Sequence, residues 1–99
     1  MQKYNVDIPD TVLAELEEQA FYIAQDSVEA ALRWYDLIEE KIQTLEMLPA
    51  RCSIAEESRY FDFEVRQLIV GNYRILFRID GKTVKILHLR GSRQERKEF

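Results

Sequence analysis

The side chains best placed to do chemistry in this chain are basic and lie in its second half: Arg66, Arg74, Arg78, Arg90 and Arg93, with His88 as the lone imidazole. A guanidinium keeps its charge at any working pH and presents a planar fork of donors. It therefore suits the binding of phosphate or carboxylate and makes a poor proton acceptor. An imidazole ordinarily exchanges protons near neutrality, so His88 is the natural candidate for acid–base work. Its spacing from Val84 and Ile86 on one alternating run argues instead for a hydrogen-bonded structural role. Cys52 has no second cysteine to pair with and no base that can be assigned to it, which leaves it a loop or rim residue. One His and one Cys at distant positions make no ligand set. The chain also lacks a Gly-rich phosphate loop and a Ser/His/Asp arrangement, so neither a metal nor a cofactor is expected.

The charge distribution singles out the same half. Residues 1–50 carry three Lys/Arg against eleven Asp/Glu, a balance of −8, whereas residues 51–99 carry eleven against seven, a balance of +4, together the net −4 of the chain. An acidic protein can still draw anions to a local basic surface. Its 99 residues, 46% hydrophobic and 32% charged, suffice for one domain spanning 1–99 with a modest core and no need of disulfides. The absence of a signal-length or membrane-length apolar run and the single cysteine together predict a soluble, cytoplasmic protein.

The elements that must position these residues follow from periodicity. Lys3 to Ile8 alternates polar and apolar residues before Pro9 and reads as a short strand. With Asp10 as N-cap, Leu13, Leu16, Ala20, Ile23 and Ala24 form one stripe of a helix over Thr11 to about Gln25. Ser27 caps a second helix whose stripe runs through Ala31, Trp34, Tyr35, Ile38, Ile42, Leu45 and Leu48 to a stop at Pro49. With almost no linker between them, residues 10–48 must fold as an αα-hairpin. A surface loop is expected over 49–59.

Beyond it the period changes to two. Phe61, Phe63 and Val65 alternate with polar residues and the run continues to Val70 with a phase slip near Gln67. Gly71-Asn72 turns the chain, Tyr73, Ile75, Phe77 and Ile79 share one face of the next strand, Asp80-Gly81 turns again, and Thr83 to Leu89 forms the last strand. A polar tail over 91–99 follows. The fold class is thus α+β in the order β-α-α-β-β-β, with the hairpin of helices packed on the face bearing Tyr73, Ile75 and Phe77 of a small, mainly antiparallel sheet. The opposite face is left partly open and carries Arg74 and Arg78, with Arg66 beside them and the basic tail (Arg90, Arg93, Arg96, Lys97) nearby.

The chain resembles the RelE/ParE toxin superfamily from its first strand to Arg93. Three segments carry the resemblance: Ile42-Gln43-Thr44-Leu45-Glu46-Met47-Leu48-Pro49, the hairpin from Val65 to Ile79 with Gly71-Asn72-Tyr73-Arg74 at its turn, and Ile86-Leu87-His88-Leu89-Arg90-Gly91-Ser92-Arg93. The helical hairpin with Ala30, Ala31 and Trp34, and the Leu87-to-Gly91 close, look more like ParE than RelE.

The resemblance implies a toxin held by a cognate antitoxin, with two unrelated activities open to it on one fold. RelE-like members cut messenger RNA on the ribosome, which requires charge stabilisation of a phosphorane together with proton transfer. Arg74 and Arg93 match the family's arginines and Arg66 stands where it has lysines, while Phe99 falls where its tyrosine would supply a hydroxyl. ParE-like members are associated with poisoning DNA gyrase, which needs a binding surface alone, and a non-toxic binding module of the same fold is the further alternative. Gyrase or the ribosome with its messenger is accordingly the expected target, while an antitoxin with acidic side chains would suit the basic sheet and tail and its apolar anchors the helical hairpin.

Overall fold

The computed structural model describes residues 3–91. Its elements run β1 (Asn5–Asp7), α1 (Asp10–Ala24), α2 (Val28–Gln43), 3₁₀ turns at Thr44–Glu46, Pro49–Arg51 and Glu56–Tyr60, then β2 (Arg66–Val70), β3 (Tyr73–Asp80) and β4 (Thr83–Gly91). The predicted order and class hold. The sheet runs β1-β4-β3-β2, with β1 parallel to β4 and the other neighbours antiparallel.

Local chemistry accounts for most boundaries. Ser27 caps α2 as expected, its hydroxyl accepting from the Ala30 N–H at 3.1 Å. At the start of α1 the cap position belongs to Pro9, which offers no side-chain acceptor. Asp10 is instead the first helical residue, where its charge faces the positive end of the helix dipole. The second helix ends before its predicted stop, at Gln43, and its stripe closes on Leu45 rather than Leu48. Leu48 precedes a proline and cannot stay right-handed helical without a clash. It adopts φ 48° and ψ 53°, which turns its side chain outward, 63% exposed. Arg51 then closes the end of the helix, donating from Nη1 to the Met47 carbonyl at 2.7 Å and from Nη2 to Thr44 Oγ1 at 3.0 Å.

The core lies between the helices and one face of the sheet. Val12, Leu16, Ile38, Ile42 and Leu45 meet Val70, Ile75, Phe77, Val84, Ile86 and Leu89. Burying side chains of this size stabilises a fold by about 1.5–3 kcal/mol each, before ordering costs are set against it. Both hairpins turn on two residues. Gly71 and Gly81 hold φ +59° and +60°, a conformation open to glycine and costly for residues with a Cβ.

Four expectations are corrected here. No phase slip occurs in β2: Leu68 and Val70 point to the helix side, while Val65, just before the strand, is buried on the other side with Ala55 and Leu76, and Ile69 on that side stays exposed. The irregularity sits one strand pair away, where Leu76 faces His88 and Phe77 faces Ile86, leaving Leu87 as an extra residue in β4. Such a bulge reverses the alternation beyond it. Second, residues 61–63 are not strand, and β2 begins only at Arg66. Third, the 49–59 segment is more than a surface loop: the Ala55 N–H donates to the Val65 carbonyl at 2.8 Å and the Gln67 N–H to the Ser53 carbonyl at 3.0 Å, covering part of the β2 edge. Strand β4 also extends through Arg90 and Gly91, which therefore leave the tail.

Candidate functional site

The sheet face away from the helices carries the site. At its centre Leu76, 1% exposed, is sealed by Ala55 and Val65, with Phe63 and Leu87 packed around them. This second, smaller core closes much of a face that the sequence left open. It divides the basic residues into a group around Arg74 and Arg90 and another around Arg78 and Lys85. At about 3.3 Å per strand residue, four residues set the two arginines of β3 about 13 Å apart.

Arg74 and Arg90 stand directly opposite each other across β3 and β4. Like charges in that relation repel. Glu57, from the Glu56–Tyr60 turn, offsets the repulsion with a two-pronged ion pair to Arg74: Nη1 to Oε1 is 3.0 Å and Nη2 to Oε2 is 2.7 Å. Gln67 Oε1 accepts from the same Nη1 at 2.9 Å. The hydrogen bonds from Arg74 hold the Glu57 carboxyl below the ordinary carboxylate range against the opposing effect of burial, and the charge of Arg90 adds to the lowering. Both side chains are about four-fifths covered, at 22% and 20% exposure, so this pair is shielded from the screening that weakens surface ion pairs.

At the other end, the Arg78 guanidinium lies 4.0 Å from the centroid of the Phe63 ring, a cation–π contact. Its buried Nε has no hydrogen-bond partner among the described residues. Lys85 reaches Asp80 at 3.2 Å.

Arg66 does not join this face. It pairs with Phe77 and sits on the side of Leu68 and Val70, where it donates to the Cys52 carbonyl at 2.6 Å, to the Ala50 carbonyl at 3.2 Å and to Glu64 Oε1 at 2.8 Å. Because β2 alternates without a slip, an even-numbered residue lands on the helix side. Arg66 thus ties the 50–52 segment to the sheet.

His88 is displaced by the bulge. Val84 and Ile86 are buried, whereas the His88 side chain is 49% exposed and its Nδ1 lies 3.4 Å from Glu15 Oε2 on α1. The other oxygen of Glu15 accepts from the Leu89 N–H at 3.2 Å. That carboxylate therefore covers a backbone donor of β4 beyond the reach of the short β1. Arg93, Arg96, Lys97 and Phe99 lie outside the described residues. Cys52 is buried and its thiol is pushed up, first by burial, which suppresses the thiolate a nucleophile would need.

Two features go beyond what the sequence specified. One is Glu57, whose only signal was an acidic pair, Glu56-Glu57, in the otherwise basic half. The other is a groove of about 360 Å³ on the outer side of the helical hairpin, lined by Glu17, Ala20, Phe21 and Ala24 from α1 and by Val28, Ala31, Leu32 and Tyr35 from α2. Each helix contributes positions i, i+3, i+4 and i+7, the spacing of one face. Phe21, Val28 and Leu32 are 75%, 64% and 62% exposed. At its Tyr35 end the groove is acidic: the phenol is pushed up by burial first and then by Glu39 and Glu17.

The sheet surface can hold anionic groups in fixed places. Glu57, the carboxylate nearest Arg74 in the described geometry, is a weaker base than usual, which fits electrostatic recognition better than proton abstraction.

This arrangement of helices and sheet is that of the RelE/ParE-like fold. A toxin–antitoxin structure described as the chromosomal ParDE system from P. aeruginosa matches with a TM-score of 0.74 at 20% identity, covering 90% of this chain and 96% of that one. The toxin–antitoxin complex RelBE2 from Mycobacterium tuberculosis matches with a TM-score of 0.57 at 24% identity, covering 92% and 93%. No curated protein sequence matches the chain. Residues 6–96 match the family described as ParE toxin of type II toxin-antitoxin system, parDE, and the chain belongs to that family.

Proposed function

We propose that this chain arrests growth by poisoning DNA gyrase through its basic sheet face, and that a cognate antitoxin neutralises it in the cytoplasm. The observation that carries this reading is the state of the Arg74 site. Its guanidinium is clamped by a carboxylate of lowered basicity, and His88 is drawn toward α1 by Glu15. Arg74 and Glu57 offer fixed charge and a poor proton acceptor, which suits a binding surface better than RNA cleavage, where proton transfer is needed as well. Membership of the ParE toxin family supports the same choice.

Two surfaces suit an antitoxin segment that orders on binding. Acidic side chains fit the Arg74 and Arg90 face, and an amphipathic helix with apolar residues at i, i+3, i+4 and i+7 fits the groove floored by Ala20, Ala24 and Ala31. No helix among the described residues is long and apolar enough to cross a membrane.

The experiment is pulse-labelling of DNA and protein synthesis minutes after inducing the chain without its antitoxin. DNA synthesis is expected to halt first while protein synthesis continues. An early halt in protein synthesis, with messenger cleaved inside reading frames, would replace the gyrase reading with ribosome-dependent RNA cleavage.

A further inference from the structure

We propose that Arg74 and Arg90 form a carboxylate-exchange site, occupied in the free protein by the chain's own Glu57 and taken over by an acidic side chain of a protein partner. The exchange presupposes that the basic face is the working surface, as argued above. Glu57 presents to Arg74 what an aspartate or glutamate from another chain would present: two oxygens in the plane of the guanidinium fork, at 3.0 and 2.7 Å.

The site needs an anion whichever chain supplies it. Arg74 and Arg90 face each other across the strand pair, and without a negative group between them their repulsion would act on a half-buried surface. A carboxylate that arrives as Glu57 leaves keeps a negative group beside the two arginines.

The segment that carries Glu57 is lightly fixed. Its anchors are the buried Ala55 and the Ser58 hydroxyl, which accepts from the Val65 N–H at 2.9 Å. Its other members Glu56, Arg59 and Tyr60 are exposed, so lifting Glu57 uncovers little apolar surface. A tethered carboxylate has an effective concentration of about millimolar, so a lone free carboxylate competes poorly. An acidic segment that also gains contacts along the face competes well. Glu57 thus sets a threshold that passes multiply acidic partners and rejects single anions.

The test is titration of the full-length chain with a short Glu-rich peptide and, separately, with a single-stranded RNA of equal length. Glu57→Gln is expected to bind the peptide roughly tenfold more tightly than the unsubstituted chain, as removal of one competing charge-assisted pair would give. Glu56→Gln, on the same turn, should leave the affinity unchanged, and Arg74→Gln should remove binding with or without Glu57→Gln. Glu57→Asp, which keeps the charge and shortens its reach, should give a smaller gain and serves if Glu57→Gln loses its fold. Equal peptide affinities for the unsubstituted chain and Glu57→Gln, with Arg74→Gln still abolishing binding, would overturn the exchange and leave the basic-face reading standing. Peptide binding indifferent to Arg74, or RNA bound more tightly than peptide by Glu57→Gln, would overturn both.

Discussion

Glu57 grips Arg74 from seventeen residues away, joining a 3₁₀ turn to the middle of the sheet through two hydrogen bonds of 3.0 and 2.7 Å. The pair fixes the direction of the guanidinium. It also ties the proposed working surface to the stability of the fold, since a change at either residue would disturb both.

That coupling has a pH signature. The Glu57 carboxyl lies below its ordinary value of 4.5 in the folded chain, chiefly through its hydrogen bonds with Arg74. A group depressed on folding contributes stability above its unfolded value and loses it as pH falls through the folded one. Urea denaturation should show Glu57→Gln less stable than the unsubstituted chain by about 1 kcal/mol near pH 7, with the difference shrinking as pH falls below the ordinary carboxylate value and through the lowered value of Glu57. A difference that persists in acid would mean that the charge of Glu57 contributes nothing.

Arg74→Glu should abolish toxicity, but it also sets a second carboxylate against Glu57. The charge swap Arg74→Glu with Glu57→Arg separates the two effects. It restores opposite charges to the pair, so the swap should recover most of the stability lost in Arg74→Glu alone while remaining non-toxic at equal expression. Growth arrest by a folded swap variant would remove Arg74 from the working surface.

Arg66 should behave differently. Its bonds to the carbonyls of Cys52 and Ala50 make it a tie between segments, and Arg66→Ala should cost about 1–3 kcal/mol in thermal or urea unfolding. Toxicity per folded molecule should not change. Loss of toxicity in Arg66→Ala without loss of stability would return this residue to the working surface.

The outer groove gives a contrasting expectation. Leu32 is 62% exposed at the wall of the groove, so Leu32→Glu should shift stability by less than about 0.5 kcal/mol, as surface changes commonly do. Toxicity should persist while rescue by the co-produced antitoxin is lost. Full rescue of Leu32→Glu would show that the antitoxin docks elsewhere.

What the sequence by itself determined was whatever a few neighbouring residues decide. Ser27 stops one helix and starts the next because its hydroxyl satisfies a nearby N–H. Gly71 and Gly81 turn the chain because they alone hold positive φ cheaply, and Tyr73, Ile75, Phe77 and Ile79 find the core because a strand alternates. The fold class and the αα-hairpin follow from these signals, and so does the basic character of the last three strands.

Tertiary structure decided which side each charged residue faces. Phe63 and Val65 looked like members of the same buried stripe as Leu68 and Val70, and reconciling them seemed to require a slip. In the fold there are two cores, one on each side of the sheet, and β2 serves both without a slip, which sends Arg66 away from Arg74. The extra residue in β4 sits where Leu87 can pack beside Leu76, and this moves His88 off the face of Val84 and Ile86. Neither the bulge nor the Glu57–Arg74 pair could be read from spacing. Each depends on groups distant in sequence meeting in space, where burial and charge are balanced against partners that local pattern does not specify.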